Sequence, residues 1–256
     1  MGMWKRVVVI SAILCLVLAA SFVFLKNRAL APVATSSTTT KKPDQTTKPG
    51  FDKHAYSTTD PTSIWIVVNK QHRLNPSNYA PTDLVVPSIP LRVPGNESMQ
   101  VRHVTATALE AMFAAAKTQS ISLMLASGYR SYAYQVNLYN GYVASMGQTA
   151  ADQQSARPGY SEHQTGLAAD IEPDSRKCET QQCFADTSEG KWLDTNAYKY
   201  GFIIRYASGL DVTTGYEYEP WHVRYIGVSL AAEMHNQNVA TLEQFFGISG
   251  GKTYAK

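Results

Sequence analysis

Ser161-Glu162-His163-Gln164-Thr165-Gly166-Leu167-Ala168-Ala169-Asp170 is answered farther along the chain by Glu219-Pro220-Trp221-His222. Together the two segments supply two imidazoles, one carboxylate placed to ligate and one spare carboxylate. A catalytic zinc ion needs that inventory: three N/O protein ligands, an open fourth position for water, and a base nearby. Gly166 permits a tight backbone turn between His163 and Asp170. The apolar run after it reads as a strand, Leu167 to Ile171, that delivers Asp170. His222 comes from a separate strand, within Tyr218 to Ile226. Pro220 cannot join a regular ladder, so a bend or bulge is expected there. Such a bend aims Glu219 and His222 into one cleft.

Further elements follow on either side. Ile64 to Val68, IWIVV, is strand-like and precedes a loop-rich arm punctuated by Pro76, Pro81, Pro87, Pro90 and Pro94. From Met99 to Lys117 the apolar positions Val101, Val104, Ala108, Met112, Phe113 and Ala116 recur at helical spacing. Ile121 to Ala126 reads as a strand, and Ser131 caps a second helix. Lys191 to Tyr200 reads as a helix stopped by Gly201. Phe202 to Tyr206 is a strand and Val228 to Asn236 a helix. Thr241 to Gln244 offers a capping box for a last short helix. No regular βαβ alternation is present. The expectation is an α+β fold: a small, largely antiparallel sheet flanked by helices in a single catalytic domain.

The 256 residues carry a formal net charge of +3, with no basic stripe, which sets nucleic acid aside. Val7 to Leu25 is an unbroken apolar run, long enough at ~1.5 Å per residue to span a ~30 Å hydrocarbon core. A cleaved signal peptide competes with this reading, but Phe22, Phe24 and Leu25 stand where small residues are wanted. Ala29 to Asp60 is rich in Thr, Ser, Pro and Lys and reads as a flexible spacer. The expected division is therefore 1–28 membrane anchor, 29–60 linker and 61–256 catalytic domain, on a single-pass cell-membrane protein with the domain outside. Cys178 and Cys183 could close a short loop as a disulfide in an oxidising compartment; free thiols and a metal pair stay open.

Singly, each site residue has an ordinary reading. His54, His72, His103 and His235 keep theirs as surface or satisfied core residues. Asp170 differs, because a carboxylate between apolar neighbours needs a partner, and a metal is one. Glu219 beside Trp221 would have a raised pKa if buried, which suits a general base. Arg130 in Ser127-Gly128-Tyr129-Arg130-Ser131 sits at a strand–helix junction. There it is either a surface ion pair or a guanidinium aimed at a developing oxyanion.

Ser127 to Ser131 with Tyr134-Gln135, Ser155 to Gly159, the stretch 161–170, Asn196 to Arg205 and Glu219 to His222 together resemble the zinc D-alanyl-D-alanine carboxypeptidases, particularly the vancomycin-resistance D,D-carboxypeptidases. The resemblance spans roughly residues 64 to 247. It implies one catalytic zinc ion held by His163, Asp170 and His222, with Glu219 as catalytic base. It implies that Arg130 stabilises the oxyanion and that Arg130, Gln135, Ser155 and Ser161 hold the peptide. The substrate expected is a peptidoglycan stem peptide or muropeptide losing its terminal D-alanine, with no obligate protein partner. An L,D-carboxypeptidase or D,D-dipeptidase of the same fold is the alternative, and a catalytically silent wall-binding module is a third. A serine-type peptidase is disfavoured, since no S-x-x-K followed by K-T-G is present.

Overall fold

In the computed structural model the described residues are 50–255. They form one compact unit. The strands are β1 (Leu84–Val85), β2 (Val101–Arg102), β3 (Leu123–Ser127), β4 (Ala168–Pro173), β5 (Phe202–Tyr206) and β6 (Glu219–Tyr225). The helices are α1 (His103–Thr118), α2 (Tyr132–Met146), α3 (Gln148–Gln154), α4 (Ser188–Asn196), α5 (Asp211–Thr214), α6 (Val228–Asn236) and α7 (Leu242–Phe246). β1 and β2 form a small pair; the main sheet has the order β3-β4-β6-β5, antiparallel throughout. The α+β expectation holds.

Alternation along these strands separates an apolar face from a polar one. Leu123, Leu125, Ala169, Ile171 and Val223 face a core built with Leu109, Met112, Phe113 and Ala116 of α1 and with Trp192 and Leu193 of α4. Asp170 and Glu172 on β4, and His222 and Arg224 on β6, take the intervening positions, and all four are buried. A second apolar cluster, around Trp65, Ile226, Leu230, Met234 and Phe245, packs α6 and α7 against the N-terminal arm.

The helix ends carry the caps their sequence offers. Ser131 Oγ accepts from Tyr134 N at the start of α2, and Thr241 Oγ1 accepts from Gln244 N at the start of α7. α1 begins at His103 rather than near Met99, because Val101 and Arg102 pair with Val85 and Leu84 first. Ile64–Val68 makes no strand. Trp65 and Val67 enter one apolar cluster and Ile66 and Val68 another, but the run opens in a turn, where Ile66 N donates to Ser63 O, and it lacks a ladder partner.

Two expectations at the N-terminal side change. The expected linker, 29–60, runs through residues 50–60, yet Phe51 stacks on Trp65 and Lys53 Nζ donates to Phe245 O at 2.9 Å. A few aromatic and cationic contacts anchor a segment that is polar on average. The single-pass membrane localisation is also corrected: among the described residues no helix is long and apolar enough to cross a membrane. The Val7–Leu25 run on which that assignment rested lies outside the described residues. Cys178 and Cys183 are joined as a disulfide.

Candidate metal centre

The centre is assembled by strand register. In the β4–β6 ladder Asp170 pairs with His222, and in the β3–β4 ladder Asp170 pairs with Ser127. Three residues from separate strands thus meet across one face of the sheet, and Arg130 follows three positions after Ser127. His163 arrives differently. It lies in a short 3₁₀ turn, Glu162–Thr165, closed by Gly166 in the left-handed region at φ 66°. A Cβ at Gly166 would also press on Arg102 and Leu84, so the turn needs glycine on two counts.

His163, Asp170 and His222 are buried, and one ligating atom of each lies within 4.8 Å of the others. His163 Nδ1 donates to the Gly128 carbonyl at 2.6 Å, which leaves Nε2 bare, 3.4 Å from Asp170 Oδ2. A metal-ligating imidazole is oriented in this way, by a backbone acceptor on its other nitrogen. His222 Nδ1 is 3.1 Å from Asp170 Oδ1. The donor set, two imidazole nitrogens and one carboxylate, fits zinc with a position left for water or substrate. Gly128 sits close against Gln100 and Val101, where any Cβ would overlap the Gln100 carbonyl.

Glu219 reaches the same point although strand alternation would send it to the opposite face from His222. The β5–β6 ladder shifts register between Ile204 and Tyr206, opposite the segment that holds Pro220. The distortion brings Glu219 Oε2 to 3.7 Å from His222 Nδ1. Its side chain stays 25 % exposed, facing the cleft, and desolvation by the cleft walls pushes the carboxyl up to about 7. The neighbouring charges sort the other groups. Burial opposes ionisation of Asp170, but His163, His222 and Arg130 outweigh it and hold the carboxyl well below the usual range. Burial, reinforced by Arg130, lowers the His163 imidazole. Burial alone would lower His222 too, but Asp170 and Glu162 outweigh it and raise the imidazole to about 9.

A cleft of about 480 Å³ opens over these groups, and Ser155 and Ser161 line it together with Arg130, Trp221 and Tyr206. Arg130 Nη2 donates to Asp170 Oδ2 at 2.8 Å and its Nε to Ser127 Oγ at 3.1 Å. Gln135 is placed otherwise than expected. It is buried behind the wall, where its amide donates to Ser155 Oγ at 3.0 Å and to Ala156 O at 2.8 Å. It braces the loop that carries Ser155.

Sequence reasoning passed over Glu162, Arg205 and Arg224. All three are fully buried behind the metal site. Arg205 interrupts the apolar strand Phe202–Tyr206, and Arg224 lies between Val223 and Tyr225 near the end of Glu219–Tyr225. A charge in such a position must be paired, the same argument that singled out Asp170.

Residues 98–228 match the family model described as VanY, D-alanyl-D-alanine carboxypeptidase. The chain is similar to YodJ of Bacillus subtilis (strain 168), 45% identical over 190 residues, covering 73% of this chain and 68% of that one. Among solved structures it is similar to the LdcB LD-carboxypeptidase, at 43% identity and TM-score 0.70, covering 74% and 88% of the two chains. It is also similar to a mutant of the vancomycin-resistance D,D-pentapeptidase VanY in complex with Zn(II), at 30% identity and TM-score 0.58, covering 72% and 98%. With the His-Asp-His group facing the cleft, these likenesses carry one conclusion: the chain belongs to the VanY family of zinc D-alanyl-D-alanine carboxypeptidases.

Proposed function

We propose that the protein hydrolyses the terminal D-alanyl-D-alanine bond of peptidoglycan stem peptides or their precursors, releasing D-alanine. The observation that supports this most is the convergence of His163, Asp170 and His222 with Glu219 at the floor of one cleft. In this reading His163, Asp170 and His222 hold the zinc. Zinc bound there supplies a Lewis acid that polarises the scissile carbonyl and lowers the pKa of water to ~7. Glu219 takes the proton of the attacking water and returns it to the leaving D-alanine nitrogen as the C–N bond breaks. Arg130 donates toward the carbonyl oxygen as negative charge develops there. Ser155 and Ser161 hold the peptide along the wall, and Gln135 acts through Ser155. The catalytic domain of the proposed division spans residues 61–256, with the packed segment 50–60 as its N-terminal edge.

A second reading, an L,D-carboxypeptidase that trims tetrapeptides, is favoured by the 43% identity to the LdcB LD-carboxypeptidase. Digestion of pentapeptide and tetrapeptide muropeptides, with and without chelator, separates the two. D-alanine released from pentapeptide and lost on chelation is expected. Release from tetrapeptide alone assigns the L,D reaction, and release from neither refutes both.

A further inference from the structure

Glu162 stands beside His163 and is buried completely, yet the reaction above makes no use of it. Its two oxygens have different surroundings. Oε1 accepts from Arg205 Nε and from Arg224 Nη1, each at 2.8 Å. Oε2 has no hydrogen-bond partner, and neither has His222 Nε2. These two orphaned atoms face each other at 3.6 Å. A buried carboxylate oxygen left unpaired is costly, and the ring nitrogen beside it is the atom placed to supply the missing donor, so a small closure that joins them is favourable. On its other side the same ring presents Nδ1 to Asp170.

Resting on the zinc reading, we propose that Glu162 is a positioning residue for His222: its Oε2 accepts the Nε2–H and thereby fixes Nδ1 as the ligating nitrogen. Glu162 is itself fixed. Arg224 Nη2 also donates to Ile64 O at 3.1 Å and Ile66 O at 2.8 Å, which ties it to the N-terminal arm. Arg205 donates to both oxygens of Glu243 on α7, at 3.0 and 2.6 Å, and Glu243 accepts from Asn69. Two carboxylates and two guanidinium groups thus interlock behind the ring, with Oε1 of Glu162 engaged by both arginines and Oε2 left for His222. The order of the outer elements is thereby transmitted to one ligand atom.

Replacement by glutamine reverses the hydrogen bond. Arg205 and Arg224 claim the amide oxygen, and the amide N–H₂ then meets His222 Nε2. That favours the wrong tautomer, with Nε2 bare and the proton on Nδ1. A residue serving only as counterion to the two arginines would affect folding and leave zinc affinity alone.

Two measurements on the full chain test this. In wild-type protein labelled with ¹⁵N-histidine, long-range ¹H–¹⁵N spectra with and without zinc should show His163 ligated through Nε2. They should show His222 ligated through Nδ1, with an exchange-protected Nε2 proton. Ligation of His222 through Nε2 overturns the proposal. If neither histidine responds to zinc, the zinc reading fails and takes the proposal with it. Glu162→Gln, alone and with Arg224→Met to rebalance charge, should bind zinc ~10–100-fold more weakly in chelator competition. A folded variant with zinc affinity within twofold of wild type also overturns it. Should both variants fail to fold, the wild-type spectra decide.

Discussion

Arg205→Met should destabilise the protein severely, and the structure sets the size of the loss. The guanidinium is wholly buried and makes three short hydrogen bonds to carboxylates, one to Glu162 and two to Glu243. Methionine fills much of the volume but supplies no donor. Glu243 would keep only Asn69 among its side-chain hydrogen-bond partners, and Glu162 would keep Arg224 and the facing His222 ring but lose one of its two guanidinium partners. Breaking a buried ion pair from one side costs ~3–5 kcal/mol, since the other charge is stranded. In a unit of this size each kcal/mol moves Tm by ~2–4 °C, so a fall of ~6–20 °C is expected. Thermal unfolding of metal-free protein at neutral pH, followed by circular dichroism, measures it. The stranded-charge argument makes a second demand: Arg205→Met combined with Glu243→Leu should recover most of the loss. Acid should also narrow the gap. Burial works against ionisation of Glu243, but Arg205 outweighs it and holds the folded-state pKa below 4.5. In wild type that stabilisation is full above the unfolded pKa and fades as pH falls through the folded one. In Arg205→Met the sign reverses, because protonating Glu243 relieves the stranded charge. A Tm drop under 3 °C, or a double variant no better than the single, would refute the reasoning.

Glu219→Gln should retain zinc and lose ~10²–10⁴-fold in kcat, measured by D-alanine release alongside metal analysis; near-normal turnover moves the base elsewhere. Arg130→Lys keeps the charge but cannot span Ser127 and Asp170 with one planar fork, so kcat should fall more than KM rises. Chelation should abolish turnover and zinc should restore it; activity in metal-free enzyme contradicts the metal centre. Gly128→Ala should weaken zinc binding, because its Cβ must displace the backbone whose carbonyl accepts from His163 Nδ1; an unchanged zinc affinity would show that the segment yields freely.

Local chemistry made much of this protein legible in its sequence. The strands at 123–127, 202–206 and 219–225 and the helix at 228–236 follow from side-chain period and flanking turns. The capping serine and threonine mark their helices because a cap is a contact within one turn. The residues of the candidate metal centre stand out too, since a carboxylate among apolar neighbours and two histidines near a glycine and a proline are local anomalies. Register was not readable. That Asp170 lies opposite His222, and that the ladder shifts beside Pro220 to bring Glu219 in, depends on which strand pairs with which. Gln135 shows the same limit: its residue type suits substrate binding, but its place behind Ser155 is set by how α2 packs. The paired charges behind the site were the least visible part. Arg205 and Arg224 each stand out as a charge within a strand, but their partners Glu162, Glu243 and Asn69 lie elsewhere in the sequence and read as ordinary polar residues. Burial turns them into a single network, because a charge removed from water must find its partner wherever the fold has placed one.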